Sequence, residues 1–132
     1  MTMRILQPEG WGTPKGYVNG LEAEGRLVFV AGQIGWNPKT CAFETDDFVG
    51  QTDQALRNVL AVLAEGGAGP EHVTRMTWYV TDRAAYLANT RALGRVWRES
   101  FGRHYPAMTL VVVAGLLEEG AKVEIEATAV VP

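Results

Sequence analysis

Two glutamates stand in the middle of the C-terminal segment Lys122-Val123-Glu124-Ile125-Glu126-Ala127-Thr128-Ala129-Val130. In an extended chain Val123, Ile125 and Ala127 face one way, and Glu124 and Glu126 the other. Carboxylates in mid-strand are costly unless the face they project from is wet, paired or functional. A partly buried carboxylate with a raised pKa can give and take a proton, which is worth about 10²–10⁴-fold in rate when water is to be activated. Glu124 is the candidate for that work; the structural alternative is an ion pair with a lysine or arginine across the sheet. Glu126 reads as a structural partner of a backbone amide or an arginine. The two histidines, His72 and His104, form no metal-ligand spacing with Cys41 or the carboxylates. No phosphate-binding glycine loop, zinc-protease helix or serine-nucleophile elbow occurs.

The elements that must hold these residues follow from periodicity. Short strands are expected at Met3 to Leu6 and Gly16 to Glu22, with the turn-rich stretch between them carrying Trp11, read as an anchor packed back on the body. Leu27 to Ile34 is a third strand, apolar on both faces, in which Gly32 marks a bulge or a close approach to the backbone. Cys41 falls where the turn after Asn37-Pro38-Lys39-Thr40 calls for positive φ. A helix is predicted from Asp46 to about Ala64, capped by Thr45 or Asp46 and ended by Gly66, Gly67 and Gly69. Gln51, Asp53 and Arg57 read as its solvated face. Val73 to Val80 is a strand, and Thr81-Asp82 opens a second helix running to Gly102. The apolar run Met108 to Ala114 precedes the final strand.

The order is therefore β-β-β-α-β-α-β-β, with both helices on one face of a six-stranded sheet because such crossovers are right-handed. The third, fourth and fifth strands are apolar on both faces. Leaving the second face in water would expose a patch larger than monomers tolerate, so an oligomer buried through that face is expected.

At 132 residues and 47% hydrophobic content the chain is expected to form a single domain, 1–132. A net charge of -3 with interspersed signs argues against nucleic acid or a membrane surface as partner. The single cysteine excludes an internal disulfide and makes an intracellular, cytoplasmic location the expectation. No signal-peptide core or membrane-length apolar run occurs.

Several segments together resemble the reactive intermediate deaminase superfamily, also called Rid, YjgF-like or endoribonuclease L-PSP-like. They are Gly16-Tyr17, Val30-Ala31-Gly32-Gln33-Ile34 with Asn37-Pro38-Lys39-Thr40, Gln54-Ala55-Leu56-Arg57-Asn58-Val59, Tyr79-Val80-Thr81-Asp82, Tyr105-Pro106-Ala107 and Val123-Glu124-Ile125-Glu126-Ala127. The resemblance implies an α+β, chorismate-mutase-like protomer: a six-stranded mixed sheet with two helices on one face. It also implies a homotrimer whose sheets form a central barrel, with clefts between subunits. It implies a small-molecule hydrolase that deaminates enamines or imines with no metal or organic cofactor. By position, Tyr17 and the backbone at Gly32 would hold substrate and Glu124 would handle water and protons. The arginine that grips the substrate carboxylate in the family is Met108 here. A guanidinium–carboxylate contact contributes roughly 1.5–3 kcal/mol that a thioether cannot supply. Three consequences stay open: a substrate other than a simple 2-imino acid, a positive charge supplied by Arg103 or His104, or a non-catalytic trimer that binds a metabolite or regulates. His104, four residues before Met108, reads as a loop histidine with a part in binding as the alternative. RNA cleavage, named in the family's older title, is disfavoured by the acidic balance.

Overall fold

Burial with a period of two along the last strand, Val123–Val131, sets the layers of the molecule. The computed structural model describes residues 3–132. Its strands are β1 (Met3–Leu6), β2 (Gly20–Ala23), β3 (Arg26–Ile34), β4 (Val73–Val80), β5 (Ala107–Val112) and β6 (Val123–Val131). Its helices are α1 (Phe48–Glu65), α2 (Arg83–Ala88) and α3 (Thr90–Phe101), with a 3-10 turn at Pro70–His72.

Four strands form one sheet in the order β3-β6-β4-β5, and β1 and β2 form a separate hairpin. The sheet is mixed, because β4 and β5 run parallel while β6 lies antiparallel to both β3 and β4. The single six-stranded sheet expected from the sequence is thus divided into four strands and two. One parallel bridge, Val18 to Ala107, links the hairpin segment to β5, with the Val18 N–H donating to the Pro106 carbonyl at 3.1 Å. Pro106 has no N–H with which to extend that ladder.

One face of the sheet carries the helices. Val123, Ile125, Ala127 and Ala129 of β6 and Met76, Trp78 and Val80 of β4 are buried there with Ala55, Leu56, Val59 and Leu63 of α1. From α3, Leu93, Trp97 and Phe101 join them, the last two stacked at 4.2 Å between ring centroids. Removing this apolar surface from water is the main force holding the layers together. Among the described residues no helix covers the other face of the sheet: Phe29 is 70% exposed and Leu27 56%.

The ends of the helices show how local chemistry departs from the periodic reading. Asp47, rather than Thr45 or Asp46, caps α1, its Oδ2 accepting from the Gly50 N–H at 2.9 Å. At the other end, Ala68 N–H reaches Leu63 O and Gly67 N–H, with Gly67 at φ +70, reaches Ala64 O, the two bonds of a Schellman ending. The expected second helix is broken into α2 and α3 at Asn89, whose φ of -121 and ψ of 17 leave the helical region. The Asn89 side chain donates to Ala85 O at 2.7 Å, the kind of local bond by which asparagine competes with helix geometry. Trp11, expected as an anchor, is 61% exposed. Cys41 is exposed and sits at φ +55, the positive value anticipated for that turn. Among the described residues, no helix is long and apolar enough to cross a membrane.

Candidate functional site

Glu124 lies on the uncovered face, because its neighbours Val123 and Ile125 are fully buried against the helices. Across the β6–β3 pair a register shift falls between Val30 and Gln33, so Gly32 sits inside a bulge. The Glu124 carboxylate packs directly over this glycine, and a Cβ built on Gly32 would collide with it. Glycine here lets a carboxylate approach the backbone as no other residue could. The two residues share a pocket of about 240 Å³ with Ile34, Trp36, Leu117 and Glu118. Among the described residues Glu124 belongs to no salt bridge.

Glu126 has a partner on the same face: the Tyr79 hydroxyl donates to its Oε2 at 2.9 Å. That bond raises the Tyr79 pKa above its ordinary value, with burial and the negative charges of Glu126 and Glu124 adding to it. Tyr79 is also the register partner of Glu124 across β4–β6.

Two buried polar residues of α1 position this pocket. Asn58 Nδ2 donates to Ile34 O at 3.1 Å and to Trp36 O at 3.0 Å, and both residues line the pocket. Gln51 is completely buried, not solvated as its place in the sequence indicated. Its Nε2 donates to Thr45 O and Gly120 O, and its Oε1 accepts from Lys122 N–H, so it ties the loop before β6 to α1. Asp53 and Arg57 do form the outer face, as an i,i+4 ion pair at 2.7 Å. The missed signal was spacing: Gln51 lies four residues before the fully buried Ala55 and Asn58 three after it, on the apolar side.

Met108 faces the other way. Its register partner is the fully buried Met76, which places it on the helix side of the sheet. There it lines a cavity of about 440 Å³ between β5 and the helices, walled by Trp78, Tyr86, Leu93 and Trp97, with Lys15 and Arg98 also in the lining. Tyr17 lies next door, 40% exposed, in a hollow with Pro14, Gly16 and Tyr105; Gly16 and Tyr105 belong to both hollows.

His104 lines a third hollow with Ile5, Leu21, Glu71 and Arg103, so neither it nor Arg103 lines the Met108 cavity. Its Nε2 lies 2.7 Å from Val73 O, and its carbonyl accepts from the Trp97 indole N–H at 3.1 Å. These contacts fix the loop between α3 and β5. In one chain, then, Glu124 and Gly32 stand together, Met108 and Tyr17 line adjoining hollows, and the His104 hollow adjoins that of Tyr17 through Ile5, Val18 and Tyr105. Among the described residues, no group of three His, Cys, Asp or Glu side chains is arranged to hold a metal.

The comparisons with known proteins bear on the whole of this arrangement. The family model described as endoribonuclease L-PSP matches residues 12–131. A RutC family protein of Synechocystis, slr0709, is 35% identical over 133 residues, covering 100% of this chain and 99% of its own. The crystal structure of YyfB from Yersinia pestis, titled a protein of unknown function of the conserved Rid family, superposes with a TM-score of 0.86 at 31% identity. It covers 99% of this chain and 100% of its own. The chloroplastic Reactive Intermediate Deaminase A of Arabidopsis thaliana is 32% identical over 103 residues, 78% of this chain and 52% of that protein.

Proposed function

Because the chain belongs to the endoribonuclease L-PSP family, the YjgF/Rid superfamily, we propose that it is a small-molecule hydrolase of enamines or imines working as a homotrimer. The observation that carries this reading is Glu124: a half-buried carboxylate, in no ion pair among the described residues, lying over Gly32 on the uncovered sheet face. A carboxylate that opens on a hollow beside bare backbone is placed to meet both water and a small ligand.

In the proposed reaction Glu124 takes a proton from water as its oxygen bonds to the C=N carbon. It returns that proton to nitrogen, giving a carbinolamine; the remaining hydroxyl proton then passes to nitrogen as the C–N bond breaks, so that ammonia leaves and a carbonyl remains. The imine and water are thereby converted to ketone or keto acid and ammonia, with no redox change and no metal or organic cofactor. Tyr17 and the Gly32 backbone bind substrate. His104 acts on the site through the loop it fixes.

The trimer follows from the same face. Leu27, Phe29 and Val111 expose apolar surface on β3 and β5, and sheet-to-sheet contact in a chorismate-mutase-like barrel would bury it. Glu124 and Met108 lie on opposite faces of one sheet and line separate hollows. A complete cleft then takes the Glu124 pocket from one subunit and the Met108 cavity from another. Met108 standing where the family has arginine makes the substrate something other than a simple 2-imino acid. The match over residues 12–131 supports one Rid-like domain over 1–132, in a cytoplasmic protein.

The test is ammonia release from a panel of freshly generated imines and enamines. Turnover by the wild type and its loss in Glu124→Gln are expected; unchanged turnover in that variant would remove Glu124 from the role. Met108 favours one second reading, a non-catalytic trimer that binds a metabolite in the same cleft. Thermal stabilisation by metabolites without any ammonia release would establish it instead.

A further inference from the structure

The cavity around Met108 lacks the family's arginine but does not lack positive charge. Lys15, from the loop before β2, and Arg98, from the last turn of α3, both line it. No carboxylate is among its lining residues, and among the described residues neither cation belongs to a salt bridge. Two unpaired cations beside an apolar hollow form a site for an anion with an apolar body.

The wall supports the same conclusion. Gly94 stands one helical turn before Arg98, and a Cβ there would meet Arg98 Nη1 at 3.4 Å, so the guanidinium lies over the bare glycine backbone. Trp78, Tyr86, Trp97 and Tyr105 supply aromatic surface. Trp78 is only 4% exposed, and its indole N–H has no acceptor among the described residues. A buried donor left open beside a cavity calls for an oxygen from a ligand or an ordered water.

We propose that this cavity selects a substrate with a carboxylate on an aromatic or comparably large apolar body, Arg98 and Lys15 together replacing the arginine that Met108 displaced. Arg98 supplies the planar fork for two carboxylate oxygens and Lys15 a second point charge. Met108, adaptable and polarisable, packs against the ring. The proposal rests on the reading of the clefts as substrate sites, and it is tested by binding so that the two can fail separately.

Three stable probes, phenylpyruvate, its methyl ester and pyruvate, are titrated calorimetrically into the wild-type protein. Phenylpyruvate is expected to bind at least about tenfold more tightly than either of the others, since the ester lacks the charge and pyruvate the ring. The double substitution Lys15→Gln, Arg98→Gln should weaken phenylpyruvate by about tenfold or more and leave the ester unchanged. Arg98→Lys should restore part of the loss, and melting curves of these exposed-site variants check their folding.

Equal affinity for acid and ester, or for phenylpyruvate and pyruvate, overturns the proposal in the wild type alone. Unchanged phenylpyruvate binding in a folded double variant overturns it as well. If the binding pattern holds but no imine is turned over, the hydrolase reading falls and this one stands. If small aliphatic imines are turned over without the binding pattern, only this one falls.

Discussion

The Glu124 pocket and the Met108 cavity are built by opposite means. The first is small, carries two carboxylates and opens on the uncovered face of the sheet. It is held in place by buried amides, Asn58 on the carbonyls of Ile34 and Trp36 and Gln51 on the loop before β6. The second is larger, aromatic and cationic, lies on the helix face and is held by packing, with Trp97 between Phe101 and Tyr105. Hydrogen bonds fix direction and packing fixes volume. On the proposed reading the difference separates a proton-handling half, which needs a set orientation, from a recognition half, which needs a set shape, and the two lie on opposite faces of one chain's sheet.

The largest effect should come from keeping the copies apart. Phe29 is so exposed in one chain that Phe29→Glu is expected to change the fold's own stability by no more than about 0.5 kcal/mol. Charge in the proposed subunit contact should nonetheless leave free subunits in sedimentation velocity and reduce ammonia release to background. A folded Phe29→Glu protein that still forms trimers would show that the uncovered face does not join the copies.

Mixing copies sharpens the same contrast. Glu124→Gln spoils the proton-handling half, with an expected loss of about 10²–10⁴-fold. Gly94→Phe would fill the recognition half from a helix position where the only near neighbour of an added Cβ, among the described residues, is the flexible end of Arg98. Neither variant alone should turn over substrate. Co-expressed, they should regain roughly a quarter of wild-type activity, because random assembly gives that share of clefts two intact halves. No recovery in mixed oligomers verified by mass would mean that each cleft draws both halves from one chain.

A smaller effect separates the supports. Asn58→Leu leaves the buried Ile34 carbonyl and the part-buried Trp36 carbonyl without this donor and should cost about 2–3 kcal/mol in denaturant unfolding. It should lower turnover while phenylpyruvate affinity, set in the other hollow, stays unchanged. Equal damage to both would show that the two regions are mechanically one.

How much of this could be read from the chain depends on whether a residue's role was local. The alternation from Lys122 to Val130 is written in side-chain order, and β6 has it, with Glu124 and Glu126 opposite the core. The carboxylates were legible for that reason. The partner of Glu126 was not, since Tyr79 lies 47 residues away and only the β4–β6 register brings its hydroxyl there. Gln51 misled because its three bonds reach Thr45, Gly120 and Lys122, two of them across the fold. The break at Asn89 was masked because the apolar spacing from Ala85 to Phe101 continues through it. Arg98 and Lys15 carried no sequence signal, being ordinary surface cations until a loop and a helix end meet at one cavity.

The smallest expected effect concerns Tyr79, which shares the face with both glutamates. Its hydroxyl bond to Glu126 raises its folded-state pKa above the ordinary tyrosine value, so the native protein keeps this proton to higher pH than the unfolded chain does. Its contribution to stability is complete below the unfolded value, about 10, and is lost as pH rises through the folded value. Tyr79→Phe removes the bond and the titration together. The unfolding midpoint of the wild type should therefore fall more steeply than that of Tyr79→Phe above pH about 10, with parallel curves below it. The Tyr86 pKa, raised by burial, is common to both proteins and cancels in the difference. Curves that stay parallel through the alkaline range would mean that Glu126 does not hold this proton. The uncovered face would then carry two carboxylates without a tyrosine partner, where the structure pairs Glu126 with Tyr79.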